Sequence, residues 1–292
     1  MPRLHYDAGP LYGGVQLGPH GYESSLTRSL YGPPDGPPRT QVLSYGGGKQ
    51  TAAICALIIQ GRLPRPDHII MADTGREKQS TFDYLHGHVT PALARVGLHV
   101  EMAPHSLSTV DLFALNGQVL MPMYSTQGGQ AEPGKLATMC SGEWKTRVIR
   151  RYMRGLGLTQ VDTWIGFSPD EAHRLKLSDT KWTRSVFPLM DLWIERDEAE
   201  RIALDVIGAL PPKSSCTNCP NQGDEQWLDL TPDEVDFSER EERLMPRQDP
   251  HVFLHQSALP IREAIRQLRA RHAAGETLAG EQVDCQSGGC WI

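Results

Sequence analysis

The chain of 292 residues carries a glycine-rich turn whose residues are suited to phosphate binding: Ser44, Tyr45, Gly46, Gly47, Gly48, Lys49, Gln50 and Thr51. Adjacent glycines let the backbone approach a phosphate closely, and the N–H groups that open a following helix present partial positive charge to it. A Walker loop needs a glycine five positions before Gly48, and Gly-x-Gly-x-x-Gly needs one at Thr51. The turn therefore predicts a nucleotide site of a different type, with an ordinary helix-capping glycine loop as the alternative.

Six cysteines indicate a second kind of chemistry. Cys55 lies on the apolar side of the first helix candidate and is interpreted as a core residue. Cys216 and Cys219 form a Cys-x-x-Cys pair, whose spacing brings two thiolates to one iron or zinc centre. The others stand before that pair and in a glycine-rich tail: Cys140, Cys285 and Cys290. A disulfide scaffold is not expected in a cytosolic protein.

Two apolar segments end in polar turns, where the ligands of open parallel sheets bind. Asp73, Thr74 and Gly75 follow the first of them, and we expect Asp73 and Thr74 to hold a ribose or adenine; the alternative is that they cap the next helix. The second segment runs into Gly166 and then into Asp170 and Glu171. These acids are expected to hold magnesium, to pair with Arg174, or to cap a helix.

Two cations beside these motifs are candidates for binding a phosphate or sulfate, Lys145 and Arg174. Either could instead form a surface ion pair. Lys145 also begins a basic run that holds Arg147, Arg150, Arg151 and Arg154 without an acid. Such a run is typical of a phosphate-backbone contact, but it equally fits the solvated face of an amphipathic helix.

The elements that must position these residues alternate along the chain. Strands are predicted at 41–44, 68–72, 98–102 and 162–167, and helices at 51–60, 79–96 with a break at Pro91, 143–156, 196–207 and 261–272. Short apolar strands separated by helices predict an α/β fold with a doubly wound, mostly parallel sheet. The region after Cys216 is expected to consist of acidic loops and one amphipathic helix.

Composition and length place limits on the class of protein. Residues 1–39 hold seven Gly and seven Pro and are predicted to be a poorly ordered or extended arm. A nucleotide-binding domain is expected at 40–210 and a cysteine-containing C-terminal region at 211–292. With 39% hydrophobic residues the chain can bury a large core, and it has no long apolar segment, so we expect a soluble, cytoplasmic protein that does not enter a membrane. The net charge of −6 argues against a uniformly basic nucleic-acid binder.

Taken in order, the motifs resemble the phosphoadenosine phosphosulfate (PAPS) reductase family of the PP-loop adenine nucleotide alpha hydrolase-like superfamily. The usual PP-loop, Ser-Gly-Gly-x-Asp-Ser, has Gln50 and Thr51 here in place of its Asp and last Ser, which weakens the expectation that ATP is cleaved to pyrophosphate. The resemblance covers about residues 40 to 220 and rests on Gly47-Gly48 with Gln50, Asp73-Thr74-Gly75 with Glu77, Cys140 with Lys145, Gly166 with Asp170-Glu171 and Arg174, and Cys216 to Pro220.

Three arrangements of the cysteines follow. In the favoured one, Cys140, Cys216 and Cys219 hold a 4Fe-4S cluster with either a tail cysteine as fourth ligand or an open iron site, as the resemblance to cluster-bearing reductases and thiolation enzymes implies. In the second, Cys216 and Cys219 form a structural zinc site with Cys285 and Cys290. In the third, the tail pair is a redox dithiol that carries or attacks sulfur.

The resemblance implies three functions in turn. The leading one is ATP-dependent thiolation of a nucleic acid, tRNA or DNA. The second is a sulfonucleotide reductase, in which a tail thiolate attacks the sulfur of PAPS or of adenosine phosphosulfate (APS), with Lys145 or Arg174 beside it. The third is a non-catalytic nucleotide-binding subunit of a DNA-modification or defence complex. A thioredoxin-like protein or a cysteine desulfurase is the expected donor partner.

Overall fold

The computed structural model describes residues 15–33, 35–128, 132–247 and 249–279. The elements of these residues, in chain order, are β1 (Gln16–Gly18), β2 (Gly21–Glu23), α1 (Ser25–Tyr31), β3 (Thr40–Ser44), α2 (Lys49–Ile59), β4 (His68–Ala72), α3 (Gln79–Tyr84), α4 (Thr90–Ala94), β5 (Glu101–Ala103), β6 (Tyr124–Ser125), β7 (Gly134–Lys135), α5 (Arg147–Gly155), β8 (Val161–Trp164), β9 (Thr183–Val186), α6 (Pro188–Asp191), α7 (Arg196–Ile207), α8 (Asp224–Leu228), α9 (Pro232–Glu242), β10 (Val252–Phe253) and α10 (Ile261–Ala273).

A five-stranded parallel sheet in the order β5-β4-β3-β8-β9 forms the centre of the fold. Side chains alternate between its faces. Leu43 and Ile69 pack in the core with α2 and α7, whereas Val42 and Ile70 pack in the core with α5. Because both faces are covered, the strands are apolar on both sides, and the predicted α/β class with a doubly wound parallel sheet is confirmed.

Strand order reverses at β3. The chain passes from β3 to β4 and β5 on one side and then returns to place β8 on the other side of β3. The carboxyl ends of β3 and β8 therefore flank the crevice in which open α/β sheets bind ligands. The glycine turn follows β3, and Gly166 follows β8.

Two helices differ from the expected form because each contains a π-helical turn. The helix expected at 79–96 runs as α3, a π-turn at Leu85–Val89 and α4, and Pro91 is the second residue of α4, directly after the π-turn. The helix expected at 143–156 begins with a π-turn at Gly142–Thr146 before α5. Such turns are frequent at functional sites.

The prediction of a poorly ordered arm is wrong for residues 15–33. They form the β1–β2 hairpin and α1, and Tyr22 is fully buried. The Tyr22 N–H donates to Asp162 (2.8 Å), and the Tyr22 hydroxyl donates to Asp191 (2.6 Å). Tyr31 exchanges hydrogen bonds with the backbone of Ser185 at the outer strand β9. Composition alone missed this segment because the burial and hydrogen bonds of Tyr22 and Tyr31 outweigh its glycine and proline content.

We expect Asp191→Asn to flatten part of the pH dependence of stability. Burial raises the pKa of Asp191 to about 6, although hydrogen bonds from Tyr22 and Ser24 oppose the rise. The folded state therefore holds a proton that the unfolded chain releases near pH 4, so the contribution of Asp191 is favourable below that pH and is lost as pH rises to 6. Two pKa units correspond to about 2–3 kcal/mol.

Urea unfolding of both proteins between pH 4 and 7 checks this expectation. As pH rises from 4 to 6, the free energy of unfolding of the native protein should fall relative to that of the variant. Above about pH 6 the difference between the two free energies should stay constant. A difference that is independent of pH would contradict the shifted Asp191.

A second hydrophobic core covers the carboxyl edge of the sheet from one side. It combines residues from two distant stretches of the chain, including Leu120 and Trp144 from the first and Trp227, Met245 and Ile265 from the second. The antiparallel sheet β10-β6-β7 and helices α8 to α10 belong to this region. The expectation of acidic loops after Cys216 is wrong for residues 232–242, which form α9 with a capping box between Thr231 and Glu234. The proposed boundary at residue 210 stays a prediction.

Candidate functional site

The glycine turn joins the end of β3 to the first turn of α2. Gly47 has φ +72°, a conformation that favours glycine, and Gly48 is the N-cap of α2 with no side chain capping it among the described residues. The first N–H groups of any α-helix lack intrahelical partners. Here they open at the sheet's switch point, so the turn has the backbone geometry of an anion site, which the motif predicts.

Gly166 allows β8 to close on this turn. A Cβ built on Gly166 would lie 2.9 Å from Thr51 Cγ2 and 3.4 Å from Gln50 Cβ, both shorter than or at the limit of ordinary contacts. The Thr51 hydroxyl donates back to the Gly48 carbonyl (3.1 Å). Gly166 therefore serves as the close-approach position between the second strand of the crevice and α2.

The side chains of the turn engage acids. Gln50 Nε2 donates to Glu171 Oε2 (3.0 Å), and Glu171 also binds Arg174 and Arg196. The Lys49 ammonium pairs with Glu200 on α7. Arg174 is buried and stacks over Phe167, with its guanidinium carbon 4.9 Å from the ring centroid. Glu171 thus pairs with Arg174, one of the roles expected for it, and this ion pair stands beside the glycine turn through Gln50.

Three hydroxyls near the turn are buried without a hydrogen-bond partner in the part of the chain that the structure describes: Thr81, Ser168 and Ser214. A Cβ on Gly47 would lie 2.6 Å from Thr81 Cγ2, and one on Gly48 would lie 2.8 Å from Ser214 Oγ. Ser168 lies two residues after Gly166. Buried hydroxyls normally find partners, so each of these three keeps an unused capacity to form a hydrogen bond.

The Asp73-Thr74-Gly75 turn after β4 has two different environments. Asp73 is half-buried, and its carboxylate accepts from the Gly75 N–H (2.8 Å). Thr74 is fully buried, and its hydroxyl donates to Glu77 Oε1 (3.2 Å) and lies 3.8 Å from Cys216 Sγ. The ribose or adenine role expected for this turn stays a prediction, and the hydroxyl of Thr74 is engaged with Glu77 and Cys216.

Three cysteines converge at this edge of the sheet. Cys216 pairs through a β-bridge with Glu77, and the Cys219 N–H donates to the Cys216 carbonyl (3.1 Å), which closes the Cys-x-x-Cys turn. Cys140 stands at the head of the π-turn before α5, held by a bond from its N–H to Leu120 (2.9 Å). Each of these thiols lies within electrostatic range of the other two and of Lys145.

Burial is the dominant effect on these thiols. It raises the pKa of Cys140 to about 12 and raises the pKa values of Cys216 and Cys219 as well, while Lys145 opposes all three shifts. Lys145 is itself paired with Glu77 (3.2 Å). Burial alone would lower the pKa of Lys145, but Glu77 and the thiols raise it overall, so the ammonium is retained. One fixed positive charge therefore faces three half-buried thiols.

The donor set suits an iron–sulfur group by its chemistry, because soft thiolates are the usual ligands of such clusters and a coordinated thiol is deprotonated. Among the residues described, no three Cys, His, Asp or Glu side chains stand close enough to hold a single metal ion. In a cluster each thiolate binds a different iron atom, which spaces the cysteines more widely. Cys285 and Cys290, the expected partners of the zinc and dithiol arrangements, lie outside the described residues.

Arg76 anchors the cysteine loop. Its carbonyl accepts from the Thr217 N–H (2.7 Å), and its guanidinium binds Glu241 (2.7 Å), which also accepts from Asn218 (2.8 Å). The same guanidinium binds Asp111 and lies 4.3 Å from the Trp144 ring centroid. The network therefore ties the turn after β4, the Cys216–Cys219 loop and α9 together.

We expect Arg76→Lys to lower the free energy of unfolding by about 1–3 kcal/mol, since a lysine keeps the charge but cannot donate to two acids and stack at once. Arg147→Lys is the matched control, because Arg147 forms an exposed pair with Glu143 that is worth only about 0–1 kcal/mol. Urea denaturation measures both. Equal effects of the two substitutions would show that the Arg76 network adds little stability.

The cations of the basic run have partners within the protein, which supports the amphipathic-helix alternative over a phosphate-backbone contact. Lys145 pairs with Glu77, Arg147 with Glu143, and Arg150 with Asp179 (2.6 Å). Arg151 donates to the Leu107 carbonyl, and Arg154 stacks on Trp182. Val148, Ile149 and Met153 are buried on the opposite face of α5, which is therefore the amphipathic helix of the alternative reading.

Sequence reasoning missed Arg76, Ser214 and Lys78 as parts of this region. Lys78 is buried, forms no ion pair among the described residues, and lies in electrostatic range of Cys219. Burial lowers its pKa, and the nearby Lys213 adds to this effect. Their positions in the sequence could have indicated these residues. Arg76 and Lys78 closely follow the Asp-Thr-Gly turn, and Ser214 lies two residues before Cys216.

No known family profile matches this sequence, and no curated protein matches it. Among solved structures it is similar to the U34-tRNA thiolase NcsA from Methanococcus maripaludis with its 4Fe-4S cluster. The two chains are 13% identical, the similarity covers 86% of this chain and 80% of that one, and the TM-score is 0.37. No helix in the described ranges is long and apolar enough to cross a membrane. Similarity at this level leaves the function to be argued from the residues of the chain itself.

Proposed function

We propose that this protein is a PP-loop enzyme of sulfur chemistry that binds an adenine nucleotide at the glycine turn and transfers sulfur to a nucleic acid. One observation carries the proposal: the half-buried thiols of Cys140, Cys216 and Cys219 and the ammonium of Lys145 lie close to one another, at the same sheet edge as the glycine turn. This combination argues against two alternatives. A purely structural metal site would not require a phosphate-binding turn beside it, and a non-catalytic nucleotide-binding subunit would not require three neighbouring thiols.

The nucleotide site is supported by the backbone of the turn and by its surroundings. The first N–H groups of α2 would bind a phosphate, and Gly47 and Gly166 allow the close approach. Asp73 would hold the ribose or adenine, since it stands at the end of the strand next to β3. Gln50 and Arg174, linked through Glu171, would face the phosphates from the β8 side.

Cys140, Cys216 and Cys219 would hold an iron–sulfur cluster. When bound there, such a cluster would supply a site at which a sulfur atom is carried to the acceptor. The Lys145 ammonium would stabilise negative charge on the thiolates, and Glu77 and Thr74 would fix the direction of Lys145 and Cys216. Burial by the second core would exclude water from the sulfur.

The acceptor is the part of the proposal that rests on the resemblance to thiolation enzymes. The cations of α5 and of the π-turn before it have partners in acids, a carbonyl or an indole, so this helix adds no independent support for a nucleic-acid acceptor. The sulfonucleotide reductase and the non-catalytic subunit remain the competing functions.

A single set of incubations tests the proposal. Protein purified without oxygen is analysed for iron and acid-labile sulfide, and is then incubated with ATP, a labelled sulfur donor and either tRNA or DNA. Labelled nucleic acid together with release of AMP and pyrophosphate is the expected result. Sulfite released in a parallel incubation with PAPS or APS and thioredoxin would instead assign a reductase, and nucleotide binding without either product would assign a non-catalytic subunit.

A further inference from the structure

Ser214 links the glycine turn to the loop that holds Cys216 and Cys219. Its side chain packs against the glycine turn: a Cβ placed on Gly48 would lie 2.8 Å from Ser214 Oγ, and one placed on Gly47 would lie 3.7 Å from Ser214 Cβ. Ser214 is 4% exposed, and its hydroxyl has no hydrogen-bond partner among the described residues. A buried, unpartnered hydroxyl thus lies against the N-cap of α2, next to the end of the helix at which a phosphate would bind.

The same segment leads directly to the thiols. Ser214 and Cys216 are separated by one residue, Ser215, whose hydroxyl is also buried without a partner in the described part of the chain. Cys216 is fixed on its other side by the β-bridge to Glu77 and by the bond from Thr217 to Arg76. A movement of Ser214 toward or away from the glycine turn is therefore transmitted to Cys216 over two peptide units.

The geometry points to Ser214 as a ligand of the nucleotide's phosphate that couples nucleotide binding to the placement of the Cys216–Cys219 loop. This inference rests on the proposed function. An unpartnered hydroxyl gains a charge-assisted hydrogen bond when a phosphate arrives, so the bound nucleotide favours the arrangement in which Ser214 lies against Gly48. Linked equilibria are reciprocal. The free energy by which the nucleotide favours this arrangement of the cysteine loop is therefore the free energy of binding that is lost when the loop is held in another arrangement.

Ser214→Ala tests the ligand role. The substitution removes no hydrogen bond from the ligand-free protein, so its thermal unfolding should match that of the native chain. The dissociation constant of a non-hydrolysable ATP analogue should rise roughly tenfold to a hundredfold, the loss of one hydrogen bond to a charged group. Ser29→Ala, an exposed change on α1, is the control that should bind the analogue as the native protein does.

Alkylation of the cysteines tests the coupling. Protein as purified is treated with iodoacetamide with and without saturating analogue, and the modification of each cysteine is followed by mass spectrometry. The analogue should slow modification of Cys216 in the native protein and in Ser29→Ala, but not in Ser214→Ala. Cys55, which is fully buried in α2, is the internal reference.

Unchanged affinity in Ser214→Ala would overturn the ligand role, and full protection of Cys216 in that variant at saturation would overturn the coupling. Failure of the native protein to bind ATP, PAPS or APS analogues would reject the proposed function itself. The native protein therefore distinguishes the two failures.

Discussion

Cys216→Ser is expected to abolish sulfur transfer, with a loss of at least about a hundredfold, and to remove most of the iron from anaerobically purified protein. Loss of residues that merely support a metal ligand already costs 10- to 100-fold, and a serine hydroxyl is a hard, protonated donor in place of a soft thiolate. Cys216 is central because it lies in electrostatic range of Cys140, Cys219 and Lys145. Iron and sulfide analysis beside the transfer assay measures the effect.

Cys55→Ala is the matched control for this prediction. Cys55 is fully buried, and burial raises its pKa to about 12. It packs in the core between the sheet and α7 and does not lie beside the other thiols. Its replacement should cost some stability and leave the iron content unchanged. Equal iron in the native protein and in Cys216→Ser would remove Cys216 from the proposed cluster.

Gly47→Ala is expected to raise the dissociation constant of the nucleotide at least about tenfold and to lower the free energy of unfolding by about 1–3 kcal/mol. At φ +72° an L side chain is strained, and the new Cβ would meet Thr81 Cγ2 at 2.6 Å. Relief of this contact must shift either α3 or the turn, whose N–H groups we propose as the phosphate ligands. Calorimetric titration of the ATP analogue and urea unfolding measure the two effects.

Gly46→Ala provides an unusually close control, one residue away in the same turn. A Cβ on Gly46 would meet no heavy atom within 4 Å, and its φ is outside the left-handed region. Stability should stay within about 0.5 kcal/mol of the native protein. If both variants bound the analogue equally well, or if Gly47→Ala bound it as the native protein does, the glycine turn would not be the nucleotide site.

Much of the framework could be predicted because it depends on local pattern. The bounds of β4 and α7 agree with the predicted segments, since an apolar strand or a helical period is set by neighbouring residues. The role of Gly47 could be recognised from the sequence, because three adjacent glycines have few roles other than a turn that approaches a ligand closely. The hairpin of residues 16–23 was missed, because its burial depends on Asp162 and Asp191, which are remote in the sequence.

The same distinction between local pattern and contacts remote in the sequence applies to the site. The sequence by itself determined the doubly wound class, the glycine turn at the end of a strand and the Cys-x-x-Cys pair, because backbone sterics and short spacings act over a few residues. Only the tertiary structure decided that Lys145 pairs with Glu77, that Arg150 pairs with Asp179, and that Ser214 lies on Gly48. Ion pairs and close contacts between distant segments depend on how the two cores pack, and residue spacing does not encode that packing in a form that can be read from one chain.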